Sequence, residues 1–471
     1  MASSESPGGS SRAADGVGPA RPGHRFWIET LGCPKNAVDS DKVAASLLGD
    51  GLTPARSAGD ADLVVVNTCA FIEAARQESI DTVLALSDAR KGGARLVVTG
   101  CLAERYGAEL AAALPDADAV VGFAGEGSIS EVVLRRPPKG GPRDLLELPR
   151  PAPAAPWAYV KVAEGCDRTC AFCAIPSFRG KQRSRTPESI LAEARGLVAG
   201  GAREIVLVAQ DLASYGRDVG RPGALAPLLA SLDGLAGEGL ARVRLLYLYP
   251  SQVRDPLVGA ILDLETPVPY FDLSLQHASE PLLKRMRRWG SGDRFLEMIE
   301  GIRRREPAAA FRSSFIVGFP GETEDDHEEL LGFLDAAGLD WAGLFPFSPE
   351  DGTPAAAMDG AVEEEVVKER LDELSVLQDR LTQAARDALV GARVDVLVDG
   401  REGAVAVGRT HREAPEIDGV VRLAPVGMGG VPPSTAAGAA KDRGGARPAA
   451  GTIVTAEVVS AVGPDLVAVA V

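Results

Sequence analysis

The chain has 471 residues, 45% of them hydrophobic, so it is long enough to form roughly two to four domains that burial alone can stabilise. Its 66 acidic and 50 basic side chains give a formal net charge of −16, which disfavours binding to a phosphate backbone and favours a basic protein partner. The sequence has no apolar run long enough for a membrane span, and its first residues lack the apolar stretch of a signal peptide. We therefore predict a cytoplasmic protein without a membrane span, with a disordered tail at residues 1–23.

Residues 24–135 are predicted to form a small parallel α/β sheet. Four short apolar runs, RFWIET, DLVVVN, ARLVVTG and DAVVG, are typical of strands, and the stretches between them have helical periodicity. Strands that alternate with helices favour a parallel arrangement. Pro and Gly then punctuate residues 136–156, which we predict to be a linker.

A second α/β series occupies residues 157–388. Its strand-like runs are WAYVKVAEG, EIVLVAQ, VRLLYLY, YFDLSLQ, RSSFIVGF and LDWAGLFPF. Six strand–helix units are too few for a closed eight-fold barrel, so we expect a partial (β/α)6 barrel that is open at one side. The series ends in a long amphipathic helix predicted over residues 361–390.

Residues 389–471 change to short alternating β-type runs, which favour a small antiparallel barrel. Residues 426–451 interrupt these runs with a Gly-, Pro- and Ala-rich stretch that we predict to be a disordered insert. The predicted fold class is thus α/β in the first two units, followed by a small β-barrel.

Cys166, Cys170 and Cys173 form a C-x3-C-x2-C loop directly after the first strand of the partial barrel. Three thiolates leave one iron of a [4Fe–4S] cluster open. In a radical enzyme, that open iron binds the amino and carboxylate groups of S-adenosylmethionine, whose C–S bond one electron can then break. The alternative is zinc, which needs a fourth ligand; no further cysteine is near, and the chain has only 4 His.

The other three cysteines are widely spaced, but each follows a predicted strand of the first sheet. Cys33 follows RFWIET, Cys69 follows DLVVVN, and Cys101 follows ARLVVTG. The carboxyl ends of parallel strands share one edge, where open α/β sheets place their sites. The three thiols can therefore converge as a second set of cluster ligands. The alternative is three buried structural cysteines.

Several motifs place the chain beside a known family. TLGCPKNAVDS, NTCAFI, GCL, EGCDRTCAFCAIPSFRG, VAQDLASYG, LQHAS and FIVGFPGET resemble those of the methylthiotransferases, which have an N-terminal cluster domain, a radical SAM barrel and a C-terminal TRAM barrel. The resemblance implies two [4Fe–4S] clusters, held by the six cysteines. It also implies S-adenosylmethionine as methyl donor and radical source, and a reductant protein such as flavodoxin or ferredoxin.

Within that family, TLGCPKN, CDRTCAFCAIP and GRTHREAPEIDG are similar to the branch that modifies an aspartate of the twelfth small-subunit ribosomal protein. The branch that acts on transfer RNA usually has TFGCQMN at the first position. Residues 388–471 carry eight Lys or Arg and nine Asp or Glu, a net charge of −1, whereas an RNA-binding barrel should be basic. We predict methylthiolation of the aspartate β-carbon without direct RNA binding. The alternatives are a transfer-RNA adenosine methylthiotransferase and a non-catalytic two-cluster electron-transfer or scaffold protein.

Further cofactor contacts are predicted at the top face of the partial barrel, where ligand groups belong. The candidates are Phe172, Gln210, Asp211, Gln276 and Gly318. Each of the strand-end positions has a purely structural alternative, as a strand-end polar residue or a turn glycine. His277 and His411 are predicted to be structural, and no catalytic residue is predicted beyond the cluster ligands. If the last barrel docks the basic protein substrate, deletion of residues 391–471 should leave both clusters and S-adenosylmethionine cleavage intact, because all six cysteines precede residue 391. Methylthiolation of the ribosomal protein should nevertheless collapse.

Overall fold

The computed structural model describes residues 23–138, 143–148, 150–424 and 448–471. Except for Gly23, the predicted disordered tail lies outside the described residues, as does the predicted insert up to residue 447. Within the described ranges, no helix is long and apolar enough to cross a membrane.

The first unit is a five-stranded parallel sheet with helices around it. Its elements are β1 (Arg25–Thr30), α1 (Pro34–Gly49), β2 (Thr53–Pro54), β3 (Leu63–Thr68), α2 (Glu73–Ala89), β4 (Arg95–Gly100), α3 (Cys101–Ala113), β5 (Ala119–Val120) and α4 (Glu131–Leu134). The strand order is β2-β1-β3-β4-β5. Every residue of the central strand β3 is buried, which explains its continuous apolar run, since helices cover both faces of such a sheet.

The second unit is the partial barrel. Its elements are β6 (Trp157–Lys161), β7 (Ala163–Glu164), α5 (Ile175–Arg179), β8 (Arg183–Ser184), α6 (Pro187–Ala199), β9 (Glu204–Val208), α7 (Leu225–Asp233), β10 (Arg242–Leu245), α8 (Asp255–Asp263), β11 (Tyr270–Gln276), α9 (Glu280–Arg285), α10 (Gly292–Arg305), β12 (Ala310–Val317), α11 (Glu324–Ala337), β13 (Trp341–Pro346) and α12 (Glu364–Asp387). The parallel groups β6-β9-β10 and β11-β12-β13 are joined by bridges from Val243 to Pro267 and from Leu248 to Leu273. The six predicted strands are therefore present, with β6 and β13 at the two open edges.

The third unit is a closed five-stranded barrel of β14 (Arg393–Glu402), β15 (Val405–Arg409), β16 (Val421–Ala424), β17 (Ile453–Val462) and β18 (Asp465–Ala470). All neighbouring strands are antiparallel except β16 and β18, which pair in parallel. A closed ring with an odd number of strands cannot alternate direction throughout, so one parallel pair is required. The predicted antiparallel barrel is thus antiparallel except at this pair.

Part of the predicted linker packs against the first unit. Leu145 and Leu146 are buried, and Arg143 pairs with Asp50 at 2.8 Å. The two buried leucines and the ion pair hold this stretch against the first unit. The described part of residues 136–156 is therefore packed on the protein and is not an exposed linker.

Residues 409–418 of the third unit close the amino-terminal end of the partial barrel, and we refer to them as the floor segment. Several barrel side chains, from the first or third residues of their strands, donate hydrogen bonds to this segment. They are Arg244 Nη1 to the His411 carbonyl (2.7 Å), Trp341 Nε1 to the Arg412 carbonyl (2.8 Å), Tyr159 Oη to the Pro415 carbonyl (2.9 Å) and Tyr270 Oη to Asp418 (2.6 Å). The last barrel is therefore built into the base of the radical barrel.

Buried ion pairs add to this floor. Glu204, the first residue of β9, pairs with Arg244 at 2.7 Å and with Arg409 at 2.8 Å, and Arg386 pairs with Glu413. These side chains are at most 2% exposed. Each buried charge depends on its partner, because an unpaired charge in an apolar interior is strongly destabilising.

Candidate cluster and cofactor site

The first cysteine set lies at the carboxyl edge of the first sheet, as the strand pattern predicts. Cys33 is the N-cap residue of α1, Cys69 directly follows β3, and Cys101 opens α3 directly after β4. A Cβ atom on Gly32 would lie 2.8 Å from Cys69 Sγ, so the Cys33 loop and the Cys69 side chain are in close contact. The three thiols therefore lie in one region, at the carboxyl edge of the first sheet.

Asn36 and Arg179 join the three cysteine-bearing loops. Asn36 Nδ2 donates to the carbonyls of Leu31 at 2.8 Å and Thr68 at 3.0 Å, which fixes the backbone just before Cys33 and Cys69. Arg179 Nη2 donates to Asn36 Oδ1 at 2.7 Å and to Cys101 Sγ at 3.1 Å. The motifs LGCPKN and SFRG, which contain Asn36 and Arg179, therefore contribute to the same site. Neither of these two side chains was predicted as a site residue.

Burial and charge act differently on the three thiols. Burial raises the pKa of Cys101 to about 12 and also raises the pKa of Cys69, and the negative charge of a Cys33 thiolate contributes to both shifts. Burial would also raise the pKa of Cys33, but the charges of Lys35 and Arg179 and backbone hydrogen bonds outweigh it, so that pKa is lowered. A charge at Cys33 therefore disfavours a second thiolate at Cys69 or Cys101 unless a cation or a metal group compensates it.

The second cysteine loop is fixed to the top of the partial barrel. The Cys166 amide donates to the Gly180 carbonyl at 3.0 Å, and the Ala171 amide donates to the Met286 carbonyl at 2.9 Å. Gly165 has φ +77°, and a Cβ atom there would lie 2.2 Å from the Lys181 carbonyl oxygen, so only glycine allows this approach. Burial raises the pKa of Cys166 to about 11 and that of Cys173 to about 12.

Two arginines and a tyrosine surround the second loop. Arg288 Nη1 donates to Cys170 Sγ at 3.2 Å. Arg168 and Arg288 both lie over the ring of Tyr249, at 3.7 and 4.4 Å from its centroid, which favours cation–π attraction. None of these three residues is among the site residues predicted from the sequence. Arg168 lies inside the cysteine motif, whereas Arg288 and Tyr249 have no motif signal of their own.

Two predicted cofactor contacts, Gln210 and Asp211, lie beside the second loop. Asp211 Oδ2 accepts from Arg168 Nε at 2.7 Å, and the side chain lines a cavity of about 130 Å³. Gln210 Nε2 donates to Glu164 Oε1 at 2.7 Å. Among the residues that the structure describes, Asp211 Oδ1 and Gln210 Oε1 are buried acceptors that find no hydrogen-bond partner. Such orphaned acceptors suit the ammonium or hydroxyl donors of a small ligand.

The remaining candidates have mixed positions. Gln276 ends β11 with φ +76°, beyond an irregular register with β12, a geometry that can redirect a side chain at a strand end. Phe172 is half-buried and packs against the barrel core. His277 is fully buried, and its Nδ1 accepts from the Ser279 amide at 3.1 Å, which fits the predicted structural role.

The backbone conformation at position 318 favours glycine. Its φ is +79°, and a Cβ atom would lie 2.4 Å from Val367 Cγ2. We expect Gly318→Ala to destabilise the protein by more than about 2 kcal/mol in urea unfolding, since the backbone conformation alone costs about 1–2 kcal/mol for an L-residue. Adding Val367→Ala should restore part of this loss by removing the overlap.

The matched control for this prediction is Gly338→Ala. Gly338 also has a positive φ, +52°, but its added Cβ atom would meet nothing within 4 Å. Equal destabilisation by the two alanine substitutions would contradict the packing explanation for Gly318.

The regions that carry the two cysteine sets are in contact. The helix α5, which begins two residues after Cys173, packs Phe178 against Cys101 in one apolar cluster. Lys35 Nζ lies 3.5 Å from the centroid of Tyr247, just after β10. Glu350, in the loop after β13, accepts from Arg105 of α3 at 2.6 Å. The cysteine edge of the first sheet therefore lies against the top of the barrel.

The donor chemistry at both positions fits iron–sulfur clusters. Among the described residues, no three Cys, His, Asp or Glu side chains converge as ligands of a single metal ion would. A [4Fe–4S] cluster instead takes one thiolate at each of several iron corners. Each position offers three thiols and an arginine directed at one sulfur, a combination that favours an anionic cluster.

Three family models match the chain in order. The uncharacterized protein family UPF0004 matches residues 25–122, the radical SAM superfamily matches residues 160–334, and the TRAM domain matches residues 390–471. The ribosomal protein uS12 methylthiotransferase RimO of Salinispora tropica is 43% identical, with 95% of each chain covered. The RimO proteins of Saccharopolyspora erythraea and Moorella thermoacetica are 44% and 45% identical, over 86% and 84% of this chain and 91% and 92% of theirs.

The chain belongs to the RimO methylthiotransferase family. It is therefore a radical SAM enzyme of the methylthiotransferase class, and membership of the radical SAM superfamily implies S-adenosylmethionine and a [4Fe–4S] cluster as cofactors. One-electron chemistry of this kind also needs a reductant.

Among solved structures, the radical S-adenosylmethionine methyltransferase TsrM from Kitasatospora setae is similar in fold. The TM-score is 0.52 at 13% sequence identity, with 77% of this chain and 90% of that chain covered. At this identity the likeness concerns the fold alone, and it agrees with the partial barrel of this RimO-family chain.

Proposed function

We propose that this RimO-family chain transfers a methylthio group to the β-carbon of an aspartate of ribosomal protein uS12, using two [4Fe–4S] clusters. The observation that carries the proposal is the meeting of two three-thiol positions at the junction of the first sheet and the barrel, with Arg179 of the second cysteine segment donating to Cys101 of the first. A transferred group and a radical source both need access to one carbon atom, which this junction allows.

In this proposal, Cys166, Cys170 and Cys173 hold the cluster that binds S-adenosylmethionine, and Cys33, Cys69 and Cys101 hold the second cluster. When bound, these cofactors would supply the one-electron chemistry that activates an unreactive carbon–hydrogen bond. Gln210 and Asp211 would orient the cofactor through their free acceptor oxygens. Phe172, Gln276 and Gly318 are proposed only as neighbours of the cofactor that shape its pocket.

Charge supports a basic protein rather than RNA as the substrate. The formal net charge is −16, and complementary fields speed the encounter of oppositely charged proteins. In the described part of the last barrel, Arg409 and Arg422 pair with carboxylates of the same barrel, and Arg412 pairs with Asp340 of the radical barrel. Pairing makes these three arginines less available to an RNA phosphate, whereas Arg393 and Arg401 of the same barrel remain exposed.

The remaining proposals follow from this function. A protein that modifies a ribosomal protein would act in the cytoplasm, and flavodoxin or ferredoxin would serve as its reductant. We propose domains at residues 24–135, 157–388 and 389–471; the matches of the three family models to residues 25–122, 160–334 and 390–471 support this division.

The test is mass spectrometry of ribosomal proteins and of transfer-RNA nucleosides from cells with and without the gene. We expect one aspartate of uS12 to carry a methylthio group only when the gene is present. A methylthiolated adenosine that depends on the gene, with uS12 unmodified, would assign the chain to transfer RNA instead. Loss of neither modification would contradict both substrates.

A further inference from the structure

Arg179 connects the two cysteine sites in a way that the family relationship does not by itself explain. It is the last residue of α5, six positions after Cys173, and thus belongs to the chain segment of the second site. Its guanidinium nevertheless lies at the first site, where Nε and Nη2 are 3.4 and 3.1 Å from Cys101 Sγ. Two N–H groups of one cation therefore point at a single sulfur.

The surroundings of Arg179 fix its orientation. The side chain is 3% exposed, and Nη1 donates to Glu164 Oε1 at 2.9 Å. The guanidinium carbon lies 4.5 Å from the centroid of Phe123, which belongs to the first unit. Glu164 Oε1 also accepts from Gln210 Nε2 at 2.7 Å. A continuous polar chain thus runs from Cys101 through Arg179 and Glu164 to Gln210.

The local charges leave Arg179 available to the sulfur. Asp39 Oδ2 is 3.4 Å from Arg179 Nη1, but Asp39 and Glu164 both also pair with Lys161, at 2.6 Å in the case of Glu164. Two cations therefore balance two carboxylates before any thiolate is counted. Thiolates at the first site would add negative charge in a buried place where charges interact strongly. Arg179 is the cation that hydrogen-bonds the Cys101 sulfur, and Lys35 adds a second positive charge near Cys33.

We propose that Arg179 is a positioning residue of the first cysteine site, which holds Cys101 and raises the reduction potential of the cluster bound there. The inference rests on the proposed function, in which Cys33, Cys69 and Cys101 hold a cluster. Hydrogen bonds and positive charge at the sulfurs stabilise the more negative, reduced form of a cluster. Because Arg179 comes from the barrel segment, the first site is complete only when the barrel is docked on the first sheet.

The experiment measures the midpoint potential of the first cluster alone. The full chain with Cys166, Cys170 and Cys173 replaced by Ala removes the second site, so that the remaining iron signal belongs to the first. Into this background we would introduce Arg179→Gln, Arg179→Lys and, as a matched control, Arg183→Gln. Arg183 lies in the same segment, but its side chain is 56% exposed and pairs with Asp144. Iron content and a redox titration followed by electron paramagnetic resonance are the readouts.

We expect Arg179→Gln to lower the midpoint potential, Arg179→Lys to lower it less, and Arg183→Gln to leave it unchanged. An unchanged potential in Arg179→Gln at full iron content would overturn the inference and leave the proposed function standing. If Arg179→Gln does not fold, Arg179→Lys decides, since a potential equal to that of the background would overturn the role of the fork geometry. A background protein without any iron would overturn the two-cluster proposal and, with it, the role of Arg179.

Discussion

Replacing Cys166, Cys170 and Cys173 together by alanine is expected to reduce the iron of the anaerobically reconstituted protein from about eight to about four atoms per chain, because each [4Fe–4S] cluster contributes four. Production of 5′-deoxyadenosine from S-adenosylmethionine should fall to background. The physical reason is that the substituted loop supplies every thiol on the top of the barrel, beside the orphaned acceptors of Gln210 and Asp211. Iron analysis and chromatography of the reaction products are the measurements.

The matched control replaces Cys33, Cys69 and Cys101 by alanine. This variant should also keep about four irons, but it should still cleave S-adenosylmethionine while transferring no methylthio group. The two triple variants would then separate radical generation from group transfer. Retention of about eight irons in either variant would contradict the ligand assignment.

Glu204→Ala is expected to destabilise the protein by about 3–5 kcal/mol, the usual cost of removing one partner of a buried ion pair. Glu204 is fully buried between Arg244 and Arg409, so its loss leaves two arginines without their shared carboxylate at the base of the barrel. Urea unfolding measures the change. The control is Glu238→Ala, which breaks an exposed pair with Arg195 at 3.0 Å and should have little effect.

The same carboxylate gives a pH dependence. Burial would raise the pKa of Glu204, but Arg244, Arg409 and Arg242 outweigh it and lower the pKa from 4.5 to about 2. A group with a lowered pKa in the folded state stabilises the protein above its unfolded pKa, and this contribution is lost as the pH falls from about 4.5 toward 2. The wild-type protein should lose stability over this window more steeply than Glu204→Ala. Parallel pH profiles would contradict the assignment.

The floor segment also changes the result expected from deleting residues 391–471. Because all six cysteines precede residue 391, the sequence favours a deletion that leaves cluster binding and S-adenosylmethionine cleavage intact. In the structure, that deletion exposes Tyr159, Tyr270 and Trp341 and leaves Glu204 and Arg386 without their partners from the last barrel. We now expect the truncated protein to lose stability, and with it cluster binding and cleavage, so the deletion does not isolate substrate docking.

The strands, and the positions of the cysteines relative to them, can be predicted from the local sequence. Apolar runs such as DLVVVN and EIVLVAQ specify buried strands locally. Cys33, Cys69, Cys101 and Cys166 follow the ends of strands closely, and Cys170 and Cys173 lie in the same loop as Cys166. Parallel pairing then brings Cys33, Cys69 and Cys101 to one edge. These features follow from the short-range pattern of apolar residues and from the regular geometry of parallel sheets. They can therefore be predicted without the packed structure.

Only the packed structure shows which groups that are far apart in the sequence come into contact. In the sequence, the motif GRTHREAPEIDG indicates only a branch of the family. In the structure, it closes the base of a barrel whose first strand begins more than two hundred residues earlier. Arg179 has no signal apart from its motif, yet it joins Cys101 to Glu164. A charged side chain on the surface is solvated by water, whereas a buried one needs a specific partner inside the protein. Because that partner can come from any part of the chain, local sequence does not identify it.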